Sequence, residues 1–277
     1  MPRRALIAAF TAMSLAMVTV ATIRLGAQDT FRPKSDLEGQ LHDLAEDHAL
    51  DQTCGPPGDP PAVKKASRAQ NRAKNNFYVS GEPVTITQGV LRQLQKRADD
   101  RSIPHGSDSA LPADRSILAD FFNDRGTLIG EGTLVRMAIR LIDAHYSNTS
   151  NGESVNCHET GQEGNDIHVV LSQNESDDPC LSVTAEISPH FRPEAWTGIV
   201  GLDLQNRPLR FTGQLFFDAS HVPCRPGKQI NPKRSSLWEI HPVYAIDVCK
   251  SKQIARCKAS DESMWQAFDA WMGEQEQ

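Results

Sequence analysis

From residue 133 onward, hydrophobic and polar residues alternate along five stretches, and a period of two predicts β-strands. The predicted strands span Thr133–His145, Asp166–Leu171, Leu181–Ile187, Leu209–Phe217 and Leu237–Val248. The first strand is long, and a connector with a candidate helix at Trp196 separates the third strand from the fourth. This order predicts a five-stranded Greek-key barrel of the OB type, with a small β-sandwich as the alternative.

Residues at helical spacing flank the predicted strands on both sides. Thr87 is a candidate cap for a helix with the apolar face Val90, Leu91 and Leu94. A second short helix is predicted with the apolar residues Ile117, Leu118, Phe121 and Phe122. After the strands, Ser260 is a candidate cap for a helix with the apolar face Met264, Trp265, Phe268, Trp271 and Met272. The predicted fold class is mainly β with flanking helices (α+β).

These elements divide the 277-residue chain into five segments. A signal peptide or N-terminal anchor spans residues 1–27, and a disordered Pro-rich spacer spans 28–72, where repeated prolines prevent regular structure. A helical lead-in, which packs on the barrel and holds a short strand at Val84-Thr85-Ile86, spans 73–129. The OB-like β-barrel spans 130–250, and the C-terminal helix lies in 251–277.

The first segment has the three parts of an export signal. Met1-Pro2-Arg3-Arg4 is basic, the run from Ala5 to Ile23 is uncharged, and Gly26-Ala27 supplies small residues for cleavage. The apolar run is also long enough for an uncleaved membrane anchor. Both alternatives predict an exported protein, periplasmic or secreted, whose contact with a membrane is limited to that anchor.

Six cysteines follow the first segment: Cys54, Cys157, Cys180, Cys224, Cys249 and Cys257. An even number of cysteines in an exported chain predicts up to three disulfides, and the sequence leaves their pairing open. No C-x-x-C spacing occurs, which disfavours a zinc ribbon or a thioredoxin-type site.

The charge of the chain disfavours nucleic acid as a partner. Removal of residues 1–27 takes away three arginines and no acid, so the formal net charge falls from −6 to −9. Non-specific nucleic-acid binding depends on basic side chains that neutralise phosphates, and an acidic protein lacks that excess.

The alternation also separates an apolar from a polar face on each strand. For the last strand it predicts Trp238, Ile240 and Tyr244 in the core, with Val243 on the polar side. The polar faces and strand ends carry seven ligand-binding candidates: Asp166, His168, Glu186, Asp218, His221, Glu239 and His241. If the sheet closes into a barrel, we expect several of these side chains to converge on one patch.

Three interpretations of these polar residues are open. Imidazole and carboxylate groups bind zinc and similar divalent metals, so a candidate metal site comprises His168, Glu186, Glu239 and His241. A histidine beside a carboxylate also suits general acid–base catalysis. On an exposed sheet face, the same pairs are ordinary hydrogen-bonding residues worth about 0.2–1 kcal/mol each. The motifs H-E-x-x-H, G-x-S-x-G and S-x-x-K are absent, which disfavours metalloproteases and serine hydrolases.

Four motifs follow one another in a specific order: Asp166-Ile167-His168, Ala185-Glu186-Ile187, Gly213-Gln214-Leu215-Phe216-Phe217-Asp218-Ala219-Ser220-His221 and Glu239-Ile240-His241-Pro242. Over about Gly130 to Cys249, this series resembles a group of exported bacterial proteins with no established activity. The resemblance implies an exported β-barrel-like domain in a bacterial envelope. It implies neither an enzyme activity nor a cofactor.

The sequence thus predicts an exported envelope protein whose barrel binds a small ligand, a glycan or a protein partner. The strand order, the acidic charge and the absence of a strong catalytic motif favour this binding module. The first alternative is a metal-dependent hydrolase, in which a divalent cofactor such as zinc activates water as the nucleophile. The second alternative is a purely structural envelope protein. Whether the protein is an enzyme stays open at this point.

Overall fold

A computed structural model of the protein describes residues 53–55, 57–59, 65–77, 81–107, 111–174, 178–204, 207–224 and 230–275. The helices of these residues are α1 (Lys65–Lys74), α2 (Gln88–Asp100) and α3 (Phe268–Gln275). The strands are β1 (Val84–Thr85), β2 (Leu134–Tyr146), β3 (Ile167–Ser172), β4 (Val183–Ile187), β5 (Leu209–Phe217), β6 (Trp238–Cys249) and β7 (Trp265–Ala267). The predicted signal or anchor, and the spacer as far as residue 52, lie outside the described residues.

Five of the strands close into a barrel. Their hydrogen-bonded order is β2-β3-β4-β6-β5, and β5 pairs back with β2. Neighbouring strands are antiparallel except for β4 and β6, which run parallel. This is the strand order of the predicted OB-type Greek-key barrel, and closure excludes the sandwich alternative. β1 extends the sheet beside β2, and β7 pairs with β6.

The barrel strands direct alternate side chains into a common hydrophobic core. On β3 and β4 the core residues are Ile167, Val169, Leu171, Val183, Ala185 and Ile187, as the alternation predicted. Helix α2 starts at its predicted cap, where the Thr87 hydroxyl accepts a hydrogen bond from the backbone N–H of Val90. Its Leu91 and Leu94 side chains join the same core. One face of α2 is therefore fixed to the barrel.

Strand β6 keeps its predicted position but not its predicted alternation. Its pairing with β5 shifts register on both sides of Gly213, so β6 has two extra residues beyond Ile240. Val243 consequently lies in the core, whereas the Tyr244 hydroxyl accepts a hydrogen bond from the side chain of Gln214. The expectation of Val243 on the polar face was wrong, because a bulge reverses the side to which later residues point. Tyr244 is fully buried, as expected.

Three expectations about helices also need correction. Helix α1 lies largely within residues 28–72, the segment predicted to be a disordered spacer, because the residues it buries are polar and leave no hydrophobic period. The second predicted helix is only the 3₁₀ turn Arg115–Leu118, after which Phe122 pairs with Leu128. Near the C-terminus the backbone first pairs with β6 as strand β7, so α3 starts at Phe268.

Three disulfides join Cys54 to Cys157, Cys180 to Cys224 and Cys249 to Cys257. They use all six cysteines of the sequence, and they indicate an oxidising, exported compartment. In the part of the chain that the structure describes, no helix has both the length and the apolar composition needed to cross a membrane.

Candidate functional site

A polar cavity of about 650 Å³ opens on the outer side of the barrel wall. Its lining comes from α1, the outer faces of β3 and β4, the loop after β2 and the loop after β5. The lining includes three acids and four histidines: Glu153, Glu186, Asp218, His145, His158, His168 and His221. Small-molecule sites usually measure about 300–1,000 Å³, so the cavity has the size of a ligand site.

Helix α1 turns a polar stripe toward this cavity. Its buried residues are Ser67, Gln70 and Asn71, and Lys74 follows at the next position on the same face. Alanine, glutamine, lysine and arginine favour the helix, and basic residues in its last turn suit the negative end of the helix dipole. The amide of Asn71 donates to the Pro57 carbonyl over 3.0 Å, which links the helix to the segment before it.

The ammonium group of Lys74 is held by three acids. Its Nζ atom lies 2.8 Å from Oε2 of Glu186, 3.0 Å from Oδ2 of Asp166 and 3.3 Å from Oε2 of Glu153. Two histidines complete the group on either side of Glu186, with His168 Nε2 3.2 Å from Oε1 and His241 Nδ1 3.2 Å from Oε2. We call these six residues the Lys74 cluster.

For three residues of the Lys74 cluster, charge interactions outweigh burial in setting the pKa. Burial by itself lowers the pKa of Lys74, but Glu153, Glu186 and Asp166 hold that pKa well above its usual value. Burial by itself raises the pKa of Glu186, but Lys74 and His168 hold it well below the usual value. The pKa of Asp166 is also lowered, because Lys74 and His241 outweigh its burial. One ammonium therefore faces three carboxylates, which leaves the floor of the cavity negative.

A second group is built around Arg234, from the loop between β5 and β6. This side chain is 1% exposed, and its guanidinium donates to Oε2 of Glu239 over 2.6 Å and to Oδ2 of Asp218. Burial and the nearby Glu186 raise the pKa of Glu239 well above its usual value, more than Arg234 lowers it. Burial and the neighbouring acid therefore outweigh the contact with Arg234 in setting the pKa of Glu239. We call Arg234, Asp218, Glu239 and His221 the Arg234 cluster.

Asp218 orients a histidine on the cavity wall. Burial alone raises the pKa of this carboxyl, but Arg234 and a hydrogen bond from His221 hold it well below its usual value. His221 Nδ1 lies 2.6 Å from Oδ2 of Asp218. An ionised carboxylate only accepts hydrogen bonds, so Nδ1 is the donor and Nε2 is left to accept or bind a proton. An imidazole fixed in this way can act in ligand binding or in acid–base chemistry.

The structure brings all seven predicted site residues into these two clusters. Asp166, His168, Glu186 and His241 belong to the Lys74 cluster, and Asp218, His221 and Glu239 belong to the Arg234 cluster. Glu186, Glu239 and His241 are at most 2% exposed. The interpretation of these three as solvated residues on an open sheet face is therefore wrong, because α1 and neighbouring loops cover that face.

The structure groups a different set of possible metal ligands from the four that the sequence predicted. Asp166, Glu186 and His241 place one potential ligand atom each within 4.8 Å of one another, and all three are buried. Glu239 is instead bound to Arg234, and His168 is not part of the three-residue group. Lys74 contacts one oxygen of Asp166 and one of Glu186, so it already occupies both carboxylates.

Sequence patterns did not reveal the two cations around which the clusters form. Lys74 ends a helix without a hydrophobic period, and Arg234 lies in an irregular loop, so neither occupies a position that alternation can assign. One signal for Lys74 was present in the sequence: Ser67, Gln70, Asn71 and Lys74 have the i, i+3, i+4, i+7 spacing of one helix face. A search restricted to apolar residues does not detect such a polar face.

No protein-family model, curated protein or solved structure matches the chain. The chemistry of the cavity therefore has to be inferred from its own residues and their geometry.

Proposed function

We propose that this protein is a binding protein that holds a small ligand rich in hydroxyl groups and bearing an amine in the polar cavity. The location of the cavity carries the proposal. It lies against the second and third strands of the barrel, β3 and β4, between the loops after the first and fourth barrel strands, β2 and β5. OB-type barrels bind oligosaccharides and oligonucleotides with the same face and the same two loops.

The charge of the cavity selects among these ligand classes. Its floor is negative because Glu153, Asp166 and Glu186 surround the single ammonium of Lys74. A phosphate chain is repelled by that floor, whereas a protonated amine is attracted to it. Histidine, serine, asparagine and glutamine side chains on the walls supply donors and acceptors for hydroxyl groups. An amino sugar, alone or in a short glycan, combines both features.

We place the protein in the periplasm or outside a bacterial cell. The three disulfides support export, and the ordered motifs from Asp166 to Pro242 support membership in the exported bacterial group that the sequence resembles. The basic and apolar pattern of residues 1–27 supports a signal peptide.

Metal-dependent hydrolysis is the second candidate function, and the grouping of Asp166, Glu186 and His241 favours it. Carboxylate and imidazole ligands would let a divalent ion activate water. The position of Lys74 argues against it, because the ammonium already contacts oxygens of both acids. Amine binding requires no displacement of Lys74, and we therefore prefer it.

Three sugars of the same ring size but different charge test the proposed function. Isothermal titration calorimetry with glucosamine, glucose and glucuronate should give the tightest binding for glucosamine and none for glucuronate. Glu153 is the accessible acid of the Lys74 cluster, so Glu153→Gln should weaken glucosamine binding about tenfold, or about 1.4 kcal/mol. It should change glucose binding little.

Glu159→Gln is the matched control, because Glu159 lies in the same loop but is exposed and does not line the cavity. This control should bind glucosamine like the wild type. Absence of binding for all three sugars, or tightest binding of glucuronate, would reject the proposed ligand class. Glucuronate tests the effect of charge most directly, because the three sugars have similar sizes and hydroxyl groups but differ in charge.

A further inference from the structure

The group of Asp166, Glu186 and His241 has the composition of a divalent-metal site. Two carboxylates and one imidazole are first-choice ligands for zinc, and the three potential ligand atoms lie within 4.8 Å of one another. Tetrahedral bonds of about 2.0–2.2 Å to one ion place the ligand atoms about 3.3–3.6 Å apart, so the side chains would have to rotate toward one another on binding. All three residues are buried, so water cannot easily take the place of a missing ligand.

His241 gives independent support for a cation at this position. Its ring is 2% exposed, and neither nitrogen makes a hydrogen bond of good geometry to another described residue. Nδ1 nevertheless points at the cluster, 3.2 Å from Oε2 of Glu186. Buried imidazole nitrogens usually have a partner, and a metal ion is one of the partners that satisfy them.

Lys74 already contacts both carboxylates of the group. Its Nζ atom contacts Oε2 of Glu186 at 2.8 Å and Oδ2 of Asp166 at 3.0 Å. A metal ion on the same oxygens would lie within a few ångströms of the ammonium, and two cations at that distance repel each other strongly. The lysine and a divalent ion therefore compete for the same two carboxylates.

We propose that Lys74 is the resident cation of a latent divalent-metal site formed by Asp166, Glu186 and His241, and that the site binds one ion only when the lysine ammonium is removed. The ammonium supplies the positive charge that would otherwise come from a metal. The proposal shares Asp166 and Glu186 with the proposed amine site, but its test is separate, because zinc binding is measured without any sugar.

Zinc binding to Lys74 variants tests this proposal. Protein without an affinity tag and with intact disulfides is incubated with zinc sulfate and desalted, and the retained zinc is measured by elemental analysis. Each protein is compared with a version that also carries Glu186→Gln, and the difference in retained zinc is taken as the zinc bound at the site. This difference excludes ions held by surface histidines. We expect none in the wild type and about one ion per chain in Lys74→Ala.

Two further variants control for folding. Lys65→Ala removes an exposed lysine from the same helix and should behave like the wild type. Lys74→Met keeps most of the volume of the lysine stem without its charge, and it replaces Lys74→Ala if that variant does not fold. Zinc should raise the thermal unfolding temperature of the Lys74 variant but not that of the wild type, because an ion that binds only the folded state stabilises it.

Two results would overturn the proposal. One is zinc in the wild type that Glu186→Gln removes, because the ion would then bind beside the lysine. The other is a folded Lys74 variant that retains no such zinc, because the three remaining residues would then not form a metal site.

Discussion

Nζ of Lys74 lies 2.8 Å from Oε2 of Glu186, and this contact joins helix α1 to barrel strand β4. The helix is thus attached through charge and hydrogen bonds, because the residues it buries are Ser67, Gln70 and Asn71. Removal of one partner from a buried ion pair leaves the other uncompensated, which costs far more than an exposed pair contributes.

Lys74→Met should lower the free energy of unfolding by about 3–5 kcal/mol, because it leaves Asp166 and Glu186 buried without their cation. Urea denaturation at neutral pH measures this change. Lys65→Met, at an exposed position of the same helix, should change it by no more than about 0.5 kcal/mol. Similar midpoints for the two variants would show that the Lys74 cluster does not stabilise the fold.

In the wild type, Glu239 should lower the free energy of unfolding as the pH rises, and Glu239→Gln should abolish this effect. The pKa of Glu239 is raised in the folded protein by burial and by Glu186, so its contribution is fully present below the unfolded pKa of about 4.3. That contribution is lost as the pH rises toward the folded pKa. Glutamine resembles the neutral carboxyl group at every pH. The free energy of unfolding of the variant, relative to that of the wild type, should therefore increase from about pH 4 upward.

Urea unfolding between about pH 4 and pH 8 measures the Glu239 effect as a difference between variant and wild type. Glu82→Gln changes an exposed acid, and its difference from the wild type should stay nearly constant. A constant difference for Glu239→Gln as well would mean that the pKa of Glu239 is not raised.

The strands could be predicted from the sequence because one side of each strand faces the core. β5 spans Leu209–Phe217 as predicted, and the ends of β2, β3 and β6 differ from the prediction by one residue. The same alternation identified five of the seven acids and histidines of the site, since residues that do not face the core of a barrel face outward, and Asp218 and His221 were identified at the end of the fourth predicted strand. Lys74 and Arg234 could not be found in this way, because their positions depend on tertiary contacts and not on a strand.

Gly213→Ala should destabilise the barrel by about 1–3 kcal/mol. A β-carbon at this position would lie 2.3 Å from the Pro242 carbonyl oxygen and 2.6 Å from Cγ2 of Ile240, so β5 and β6 would have to separate. Gly89→Ala is the matched control: the site is half-buried in α2, and the new β-carbon would have an ordinary contact of 3.5 Å with the Thr87 hydroxyl oxygen. It should be neutral or stabilising by up to about 1 kcal/mol. Equal effects of the two substitutions would contradict the close approach at Gly213.

A disulfide that closes a longer loop should contribute more to the free energy of unfolding than one that closes a shorter loop. Cys54 and Cys157 are separated by 103 residues, and Cys249 and Cys257 by 8. Chain entropy predicts a loss of about 4.7 kcal/mol for a loop of about 100 residues and about 2.5 kcal/mol for one of about 8. Paired serine substitutions of each bridge, compared by urea unfolding, measure the two losses. A larger loss for the Cys249–Cys257 pair would mean that local packing, and not loop closure, determines the order.

Each of the two bulges of β6 holds one residue more than a regular strand needs to pass the same stretch of β5. Ile240, Val243, Ile246 and Val248 all reach the core, although their spacings are three, three and two residues. Deletion of the extra residue from either bulge would reduce a core spacing from three residues to the ordinary two, so Ile246 and Val248 would still face the core. The length of this strand can therefore change by one residue at each bulge without a change in the core, and Glu239, which precedes both bulges, keeps its position.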